Sequence, residues 1–431
     1  MRQNPVTVIG AGPAGCAAAL TAVRHRARVR LCEQRPERSG PVLRTALPCE
    51  FAGSNDLGVE DRFRASGLLK AELGEICPEP LAVAEASRVG EHTLAVDRTE
   101  FARGLLSAIE ACDEIELVRG EVKALPDGVV VVATGPTTWS PLAGALHGAA
   151  GTSYSFSYAG RAPVISADGI DADAACWWPP YPGAEPALFV PVSDAEVDEF
   201  ACALSEGERS ELPDFTDEMI LADEAIPIER MAGDPAELAA HVLRGPHGPD
   251  APGQKQMLRL HPDDSQQSAF HLYRCVTALT EAAQKQALAA FRALGNVTIA
   301  RPALVQRTPW LPGPKTLLPT LQLERSPQVL LAGSLTGAYG YMEAFVTGTA
   351  AGLAAARLAA GEEPCSPPRD CLSGALCWSL TEDLPGPDGR MIQANFGMLP
   401  DAAAGEDLSK QERRTHQIET AVAAARSWTQ A

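Results

Sequence analysis

The chain has 431 residues, of which 45% are hydrophobic, and a formal net charge of −19 at pH 7. That length is sufficient for two domains, each with its own core. Surfaces that bind phosphates are usually basic, so the acidic balance argues against a large nucleic-acid footprint. No apolar run approaches the roughly 18–20 residues needed to cross a bilayer, and the first strand follows Met1 too closely for a signal peptide. We therefore expect a cytoplasmic protein with no membrane partner.

The eleven cysteines are scattered singly, without a CxxC pair, and the eight histidines are equally dispersed. Reduced thiols are therefore a better interpretation than disulfides or structural zinc, and no metal site is predicted. A local basic patch stays open as an alternative, although each of its candidate members is more often a solvated surface residue. These candidates are the C-terminal segment KQERR at residues 410–414 and the scattered Arg244, Arg259, Arg301 and Arg307.

The first motif, VTVIGAGPAGC at residues 6–16, predicts a buried strand, a glycine turn and a helix. Gly10 lets the turn fold tightly, and Gly12 lets backbone N–H groups approach a pyrophosphate. Gly15 allows close packing of the helix against the strand. The motif therefore predicts the phosphate-binding turn of a dinucleotide site.

The next apolar strand, VRLCE, ends at Glu33, which follows Gly15 at the spacing typical of the acid that binds an adenosine ribose. A single GxGxxG pattern is weak evidence, but strand, turn, helix, strand and acid occur here in the order of a dinucleotide fingerprint. The alternative is a glycine-rich turn in an ordinary β–α–β unit.

Further along the chain, apolar spacing predicts helices at residues 66–73 and 99–111. Strands are predicted at 115–118 and around Val122, and a fully buried parallel strand at 129–134. The last strand closes in Ala-Thr-Gly, a pattern frequent in flavin-binding folds of the two-dinucleotide type, where the glycine lets the backbone lie beside the adenosine half.

A second glycine-rich stretch occupies residues 329–352 and predicts a strand, a turn at Gly333–Ser334 and a helix from about Met342. The N–H groups at the start of this helix would point at the pyrimidine edge of an isoalloxazine, which becomes electron-rich on reduction. Such a return of the C-terminal segment to the nucleotide site is expected of an FAD fold, and an NAD-only dehydrogenase would not need it. The sequence therefore favours FAD over NAD. A terminal helix is predicted at 409–428.

Between these motifs the composition changes, because prolines and aromatic residues cluster at residues 177–182 and no Rossmann repeat appears. We expect an α/β protein with an FAD-binding Rossmann-like domain of the two-dinucleotide, glutathione-reductase type, formed by residues 1–153 and 311–431. Residues 154–310 are expected to form an inserted α+β domain on the substrate side. The residues expected to bind FAD are Gly10, Gly12, Pro13, Ala14, Gly15, Glu33, Gln34, Arg35, Val122, Ala133, Thr134, Gly135, Gly333, Ser334, Gly340, Tyr341 and Met342.

Several segments carry a family resemblance that extends over nearly the whole chain. They are VTVIGAGPAGCAAAL, the Ser54-Asn55 loop, SGLLKAEL, LAVDRTEF, VVATGP, IPIERMA, LLPTLQL, LLAGSLTGAYGYMEAFVTGTAAGLAAARL and ANFGMLP. With these segments the chain resembles the TrmFO family of FAD- and folate-dependent tRNA uracil-5-methyltransferases.

The resemblance implies a flavin that is reduced by NAD(P)H and a methylene group that comes from 5,10-methylenetetrahydrofolate. It also implies tRNA as a partner, with transfer of the methylene group to C5 of a uridine. Uracil C5 is a poor nucleophile unless a group such as a thiolate adds to C6. Family members carry two cysteines that suit this task.

The chain departs from the family pattern on the substrate side. Gly53 occupies the position of one family cysteine and Ala225 the position of the other. The family segments Thr-His-Leu, Leu-Arg-Gln-Asp and His-Arg-Asn-Thr are matched here by residues 277–279, 260–263 and 306–309, with changes in each. The residues that resemble the FAD side of the family are intact.

These departures leave three functions open. The first is methylation of tRNA uridine with FAD and methylenetetrahydrofolate. The second is a flavoprotein of the same fold that acts on a small molecule, with folate or another one-carbon donor, and the third is a non-catalytic binding protein stabilised by FAD. Cys49 could replace the thiol missing at Gly53 if the loop were re-registered, but a buried inert thiol is the commoner state. No second GxGxxG exists to mark an NAD(P)H site, and no catalytic residue is assigned.

Overall fold

The computed structural model describes residues 5–40, 43–138, 140–181, 184–211, 226–247, 253, 256–314, 316–382, 391–401 and 409–429. Its strands form two six-stranded sheets and two smaller ladders. In chain order they are β1 (Val6–Ile9), β2 (Val29–Glu33), β3 (Asp56–Val59), β4 (Thr93–Ala95), β5 (Ile115–Arg119), β6 (Val130–Val132), β7 (Ser155–Arg161), β8 (Val164–Ser166), β9 (Cys176–Trp178), β10 (Ala187–Pro191), β11 (Met257–Pro262), β12 (Ala269–Leu272), β13 (Ile299–Arg301), β14 (Leu304–Trp310), β15 (Gln322–Leu323) and β16 (Ser326–Leu331).

The helices alternate with strands in the first third of the chain and dominate its last quarter. They are α1 (Pro13–Arg24), α2 (Ala65–Ile76), α3 (Glu79–Ala86), α4 (Arg98–Glu110), α5 (Ser140–Ala150), α6 (Asp194–Glu206), α7 (Pro235–Val242), α8 (Glu281–Leu288), α9 (Tyr341–Ala360), α10 (Leu372–Thr381) and α11 (Lys410–Trp428). Within the described ranges, no helix is both long enough and apolar enough to cross a bilayer.

The first sheet has the strand order β15-β16-β6-β1-β2-β5 and is parallel except for β15 at its edge. Its central strand β6 is buried on both faces, because Val131 packs into the core on one side and Val130 and Val132 into the core on the other. Parallel strands covered on both faces read as continuous apolar runs, which is how the sequence predicted this strand. The expected FAD-binding Rossmann-like α/β fold is confirmed.

Most predicted elements of this part occur within a few residues of their expected bounds, but the strand expected around Val122 does not form. Strand β5 ends at Arg119, and Gly120 then adopts a φ of +139°, outside the extended region that a strand requires. The chain leaves the sheet at this point. The strand expected at 129–134 is shorter in the structure, where β6 covers only Val130–Val132.

Helices α1 and α9 cross at very short range. A Cβ atom built on Gly348 would lie 2.1 Å from the carbonyl oxygen of Ala14, and one built on Gly352 would lie 2.4 Å from that of Ala18. Only glycine permits this approach of one backbone to the other. The crossing holds the start of α9 beside the glycine turn that follows β1.

The second sheet has the order β13-β8-β12-β11-β10-β9, and its strands pair antiparallel. One face packs on helices α6, α7 and α8 through a separate apolar core. The ladder of β7 and β14 pairs Ser155 with Trp310 at one end and Arg161 with Leu304 at the other. This ladder lies at both ends of the segment expected to be an insert, although the division into domains itself stays a prediction.

The helix crossing makes a stability prediction. Replacing Gly348 by alanine places a methyl group against backbone that cannot move without displacing α1, so we expect a loss of about 1–3 kcal/mol in the free energy of unfolding and a weaker retention of FAD. Gly144 is a matched control, since it lies within α5 and a Cβ there meets nothing within 4 Å. Gly144→Ala should be neutral or gain up to about 1 kcal/mol. Urea unfolding of both variants would measure the contrast, and equal midpoints would contradict the close-packing argument.

Candidate active site

One cavity of about 1180 Å³ joins the glycine turn after β1 to the second sheet. Its lining changes in character along its length. At one end lie Gly10, Gly12 and Glu33, in the middle lie residues 333–334 and 340–344, and at the other end lie side chains of β11 and β12. The cavity is larger than the roughly 300–1,000 Å³ typical of a single small-molecule site.

The structure brings the residues predicted to bind FAD to this one cavity, with the exception of Gly15. Gly15 does not line the cavity, and a Cβ on it would lie 1.7 Å from the carbonyl oxygen of Gly10, so it packs the helix against the turn. The residues that do line it are Gly10, Gly12, Pro13, Ala14, Glu33, Gln34, Arg35, Val122, Ala133, Thr134, Gly135, Gly333, Ser334, Gly340, Tyr341 and Met342. Val122 is thus at the cavity although it is not in a strand.

The turn after β1 combines one crowded glycine with one open glycine. Gly10 adopts a φ of +97°, and a Cβ there would meet the carbonyl oxygen of Ala133 at 2.6 Å. At Gly12, the N-cap of α1, a Cβ would meet no protein atom within 4 Å. The space in front of Gly12 is therefore open to a ligand, as a phosphate group at a helix N-terminus requires.

Glu33 is held as a buried, ionised acceptor at the end of β2. Its Oε2 accepts the backbone N–H of Ala11 at 3.0 Å, and its Oε1 accepts both the backbone N–H of Arg35 at 3.0 Å and the Nε of Arg35 at 2.8 Å. Burial alone would raise the pKa of this carboxyl, but the hydrogen bonds and the charge of Arg35 outweigh it and leave the pKa below its usual value. An anionic carboxylate here suits a ribose hydroxyl.

The turn after β16 offers one unused hydroxyl to the middle of the cavity. Gly333 takes a φ of +67°, and its N–H donates to Oγ1 of Thr347 at 2.9 Å, which fixes the turn. The Oγ of Ser334 is buried, lines the cavity and has no hydrogen-bond partner among the described residues. A buried hydroxyl without a partner is costly, so the site fits a polar cofactor such as FAD.

Residues 49–55 form a loop between the turn and the second sheet, and Arg98 holds it in place. The Nη1 of Arg98 donates to the carbonyl oxygens of Phe51 at 2.6 Å and Gly53 at 2.9 Å. Its Nε and Nη2 form a bidentate pair with the carboxylate of Asp263, at 3.1 and 2.6 Å. Asn55 adds a bond from Nδ2 to the carbonyl oxygen of Pro262 at 3.2 Å. The loop is thereby fixed to β11 and to the residue after it.

Gly53 occupies the position where the family pattern has a cysteine, and its backbone N–H donates to the phenol oxygen of Tyr341 at 2.6 Å. The Tyr341 ring also stacks on Phe51, with centroids 4.2 Å apart. A Cβ on Gly53 would lie 3.2 Å from the Tyr341 oxygen, and no positive φ constrains this residue. A side chain at position 53 therefore needs a shift of only a few tenths of an ångström. Ala225, the second such position, lies outside the described residues.

No cysteine of the chain is placed to act at the flavin end of the cavity. All eleven cysteines are within the described residues and free, and Cys32, beside Glu33, is the one that lines the cavity. Burial raises the pKa of the Cys32 thiol. Cys49 is fully buried, and burial together with Cys16 raises the pKa of its thiol well above the usual value. The suggestion that Cys49 replaces the missing thiol is therefore not supported.

The far wall of the cavity is a cluster of polar side chains that was not predicted from the sequence. Alternate residues of β11 and β12 face it, while Leu258, Leu260, Phe270 and Leu272 pack into the core on the other face of the sheet. The residues on the cavity side are Arg259, His261, His271, Tyr273 and Arg274. The alternation of apolar and polar residues in MLRLH and FHLYR was the sequence signal for this wall.

The candidate members of a basic patch have different environments. Residues 410–414 begin α11 and do not line the cavity. Arg244 and Arg259 line the cavity, whereas Arg301 donates from Nη1 to Oε1 of Glu50 at 2.8 Å. Arg307 lies over the ring of Phe156, with its Cζ 3.5 Å from the centroid. These arginines do not form one solvated patch. Of the segments that depart from the family pattern, 260–263 and 306–309 contribute to the cavity lining and 277–279 does not.

The chain was compared with known protein families and structures. A family model described as "Glucose inhibited division protein A" matches residues 5–363. A methylenetetrahydrofolate--tRNA-(uracil-5-)-methyltransferase TrmFO from Deinococcus radiodurans is 33% identical, over 99% of this chain and 94% of that protein. Its namesake from Lactiplantibacillus plantarum is 34% identical, over 97% of this chain and 96% of that protein. The chain belongs to the TrmFO family.

Among solved structures, GidA of Aquifex aeolicus superimposes with a TM-score of 0.70 in one crystal form, at 16% identity, and covers 99% of this chain and 73% of GidA. This similarity shows the fold. Membership of the TrmFO family makes the protein an FAD-dependent enzyme of the TrmFO type, in agreement with the cofactor predicted from its glycine motifs.

The contrast between Gly12 and Gly15 tests the cofactor site. Gly12→Ala should fold normally, because nothing in the protein opposes the methyl group, but should lower FAD affinity about tenfold or more by filling the space of a phosphate. Gly15→Ala should instead destabilise the folded protein itself, because its methyl group would overlap the Gly10 carbonyl. Thermal unfolding of the apoprotein and fluorescence titration with FAD would separate the two effects. Unchanged FAD binding in folded Gly12→Ala would contradict the assignment.

Proposed function

We propose that this protein transfers a one-carbon unit from 5,10-methylenetetrahydrofolate, with its FAD reduced by NAD(P)H. The observation that carries the proposal is the continuity of the cavity. The proposed FAD site and the wall formed by β11 and β12 line the same cavity, so a second ligand can contact the cofactor inside it. The names of the relatives state methylenetetrahydrofolate as the donor that those proteins use.

The roles of the protein groups follow from their positions. Gly12 and the N-terminus of α1 would hold the pyrophosphate, and Glu33 would hold the adenosine ribose. The N-terminus of α9, with Tyr341 and Met342, would receive the ring and stabilise negative charge on it. FAD, when bound, supplies the redox step between NAD(P)H and the one-carbon unit. The remaining predicted residues complete the lining of the same site.

For the acceptor, we propose the uridine of a tRNA as the first candidate, because the relatives are named for action on tRNA uracil. Methyl transfer to uracil C5 requires a nucleophile that adds to C6. At Gly53 that nucleophile is missing, and Cys32 is the one cysteine that lines the cavity. The net charge of −19 is also unfavourable for a large RNA footprint.

These observations favour a second candidate acceptor, a small molecule that needs no activation by a thiolate. In this alternative the protein retains FAD and a one-carbon donor and acts as a repurposed flavin oxidoreductase without RNA methylation.

A labelling experiment tests the one-carbon proposal and separates the acceptors. The holoenzyme, reduced anaerobically with NADPH or NADH, is incubated with methylenetetrahydrofolate that carries ¹⁴C in the methylene group, with and without an unmodified tRNA transcript. The Lactiplantibacillus plantarum relative serves as the positive control. We expect consumption of the donor by reduced holoenzyme, and label in 5-methyluridine if RNA is the acceptor. Donor consumption without label in RNA favours the small-molecule alternative. No consumption by a reducible holoenzyme would refute the proposal.

Restoring the two family cysteines tests whether only the thiols are missing. Gly53→Cys is sterically feasible, because its Cβ would meet only the Tyr341 phenol at 3.2 Å. In the double variant Gly53→Cys, Ala225→Cys, we expect methyl transfer to the transcript to rise at least about tenfold above the parent protein, since an added nucleophile typically contributes far more than that to a transfer reaction. Gly53→Ser is the control, as it fills the same space without a thiol. Equal rates for the cysteine and serine variants would show that binding of RNA has also been lost.

A further inference from the structure

Two arginines on the far wall of the cavity share one aromatic ring. The Cζ of Arg259 lies 3.3 Å from the ring centroid of Tyr273, and the Cζ of Arg274 lies 5.9 Å from it. All three side chains line the cavity. The contact with the negative face of the ring is a cation–π interaction, which orients a guanidinium but leaves its hydrogen-bond donors available.

The charges of this pair are not compensated by the protein. Among the described residues, neither arginine forms an ion pair, and the Nε atoms of both are buried without a hydrogen-bond acceptor. The neighbouring Nδ1 of His271 is also buried without a hydrogen-bond partner. Burial lowers the pKa of Arg259. The charge of Tyr273 and a side-chain hydrogen bond with it oppose this effect, and the charge of Arg274 adds to it. A half-buried cation that lacks an anionic partner is unfavourable, and a bound anion would remove that cost.

The backbone at Arg274 is also unusual. Arg274 takes a φ of +58°, in the left-handed region that non-glycine residues seldom adopt. Such conformations cost about 1–3 kcal/mol and cluster at ligand sites. This one directs the chain out of β12 immediately after Tyr273, at the place where the guanidinium lines the cavity.

The two histidines of the wall do not add to its charge. His261 and His271 face each other across β11 and β12, with ring centroids 5.1 Å apart. Burial, with the charges of Arg98 and Arg259, lowers the pKa of His271 to about 3, and burial, with His271 and Arg259, lowers that of His261. Both rings are neutral at physiological pH, so the positive charge here belongs to the arginines.

The wall is also close to the place expected for the flavin ring. Pro262 follows His261 and is hydrogen-bonded to Asn55 of the loop that carries Gly53. Trp177 and Tyr181 are 42% and 53% exposed and line the same cavity. Exposed aromatic rings beside paired arginines match a ligand with a planar ring and an anionic group.

We propose that Arg259 and Arg274, oriented by the Tyr273 ring, form an anion-binding subsite for a carboxylate or phosphate group of the ligand that meets the flavin. The inference rests on the proposed function, because it assigns the second ligand of that same site. Two sources carry the required chemistry. One is the glutamate carboxylates of a tetrahydrofolate, and the other is the 2′-phosphate of NADPH.

Binding to the holoenzyme tests the subsite without any turnover, so its outcome is independent of the labelling experiment. The probes come in two matched pairs that differ in the anionic group. Tetrahydrofolate is compared with tetrahydropterin, which lacks the glutamate, and NADPH is compared with NADH. The affinity of each is measured from the change in absorbance of holoenzyme that has first been reduced with dithionite under anaerobic conditions, so that NADPH and NADH bind without a redox step. The proteins compared are the parent, Arg259→Ala and Arg274→Ala. Arg292→Ala is the control, because Arg292 is exposed and does not line the cavity.

In the alanine variants we expect the affinity for the anionic probe of one pair to fall about tenfold or more, as for loss of a charged hydrogen bond. The affinity for the other probe of that pair should stay unchanged. Arg274→Lys should recover part of the loss, because it retains a positive charge. A loss confined to tetrahydrofolate identifies a carboxylate site, and one confined to NADPH identifies a phosphate site. The proposal is overturned if both members of each pair weaken equally, or if Arg259→Ala and Arg274→Ala bind all four probes as Arg292→Ala does.

Discussion

The contact on which the active site depends is the crossing of helices α1 and α9. Gly348 and Gly352 leave room for the backbone of α1 at Ala14 and Ala18, so the two helices approach to a distance that any side chain would prevent. Two segments more than three hundred residues apart in sequence thereby place their N-termini at one cavity. Both N-termini carry partial positive charge, which suits a cofactor with a pyrophosphate at one end and a ring that accumulates negative charge at the other.

Around this crossing, buried ionic groups position the rest of the site. Glu33 and Arg35 fix the end of β2, and Arg98 ties the loop of Gly53 to Asp263. A bidentate guanidinium–carboxylate pair is both directional and strong when desolvated. The loop that lacks the family thiol is therefore fixed in position. At position 53 the difference from the family pattern is chemical, because glycine supplies no nucleophile.

Local sequence was sufficient to predict the FAD-binding Rossmann-like fold. Glycine spacing, buried apolar runs and an acidic residue at a strand end each have a short-range physical cause. Val122 shows the limit, since its apolar character suggested a strand that Gly120 interrupts. The proximity of Arg259, Tyr273 and Arg274 could not be predicted from the sequence. The alternation within β11 and β12 was visible in the sequence, but their pairing, and the direction in which their polar face is turned, follow from long-range contacts.

Two buried ion pairs join the second sheet to the nucleotide-binding part, Arg98 with Asp263 and Arg301 with Glu50. Swinging the second sheet away would break the charge-assisted hydrogen bonds of both pairs, which are stronger than hydrogen bonds between neutral groups. Opening by a hinge between the two sheets is therefore disfavoured.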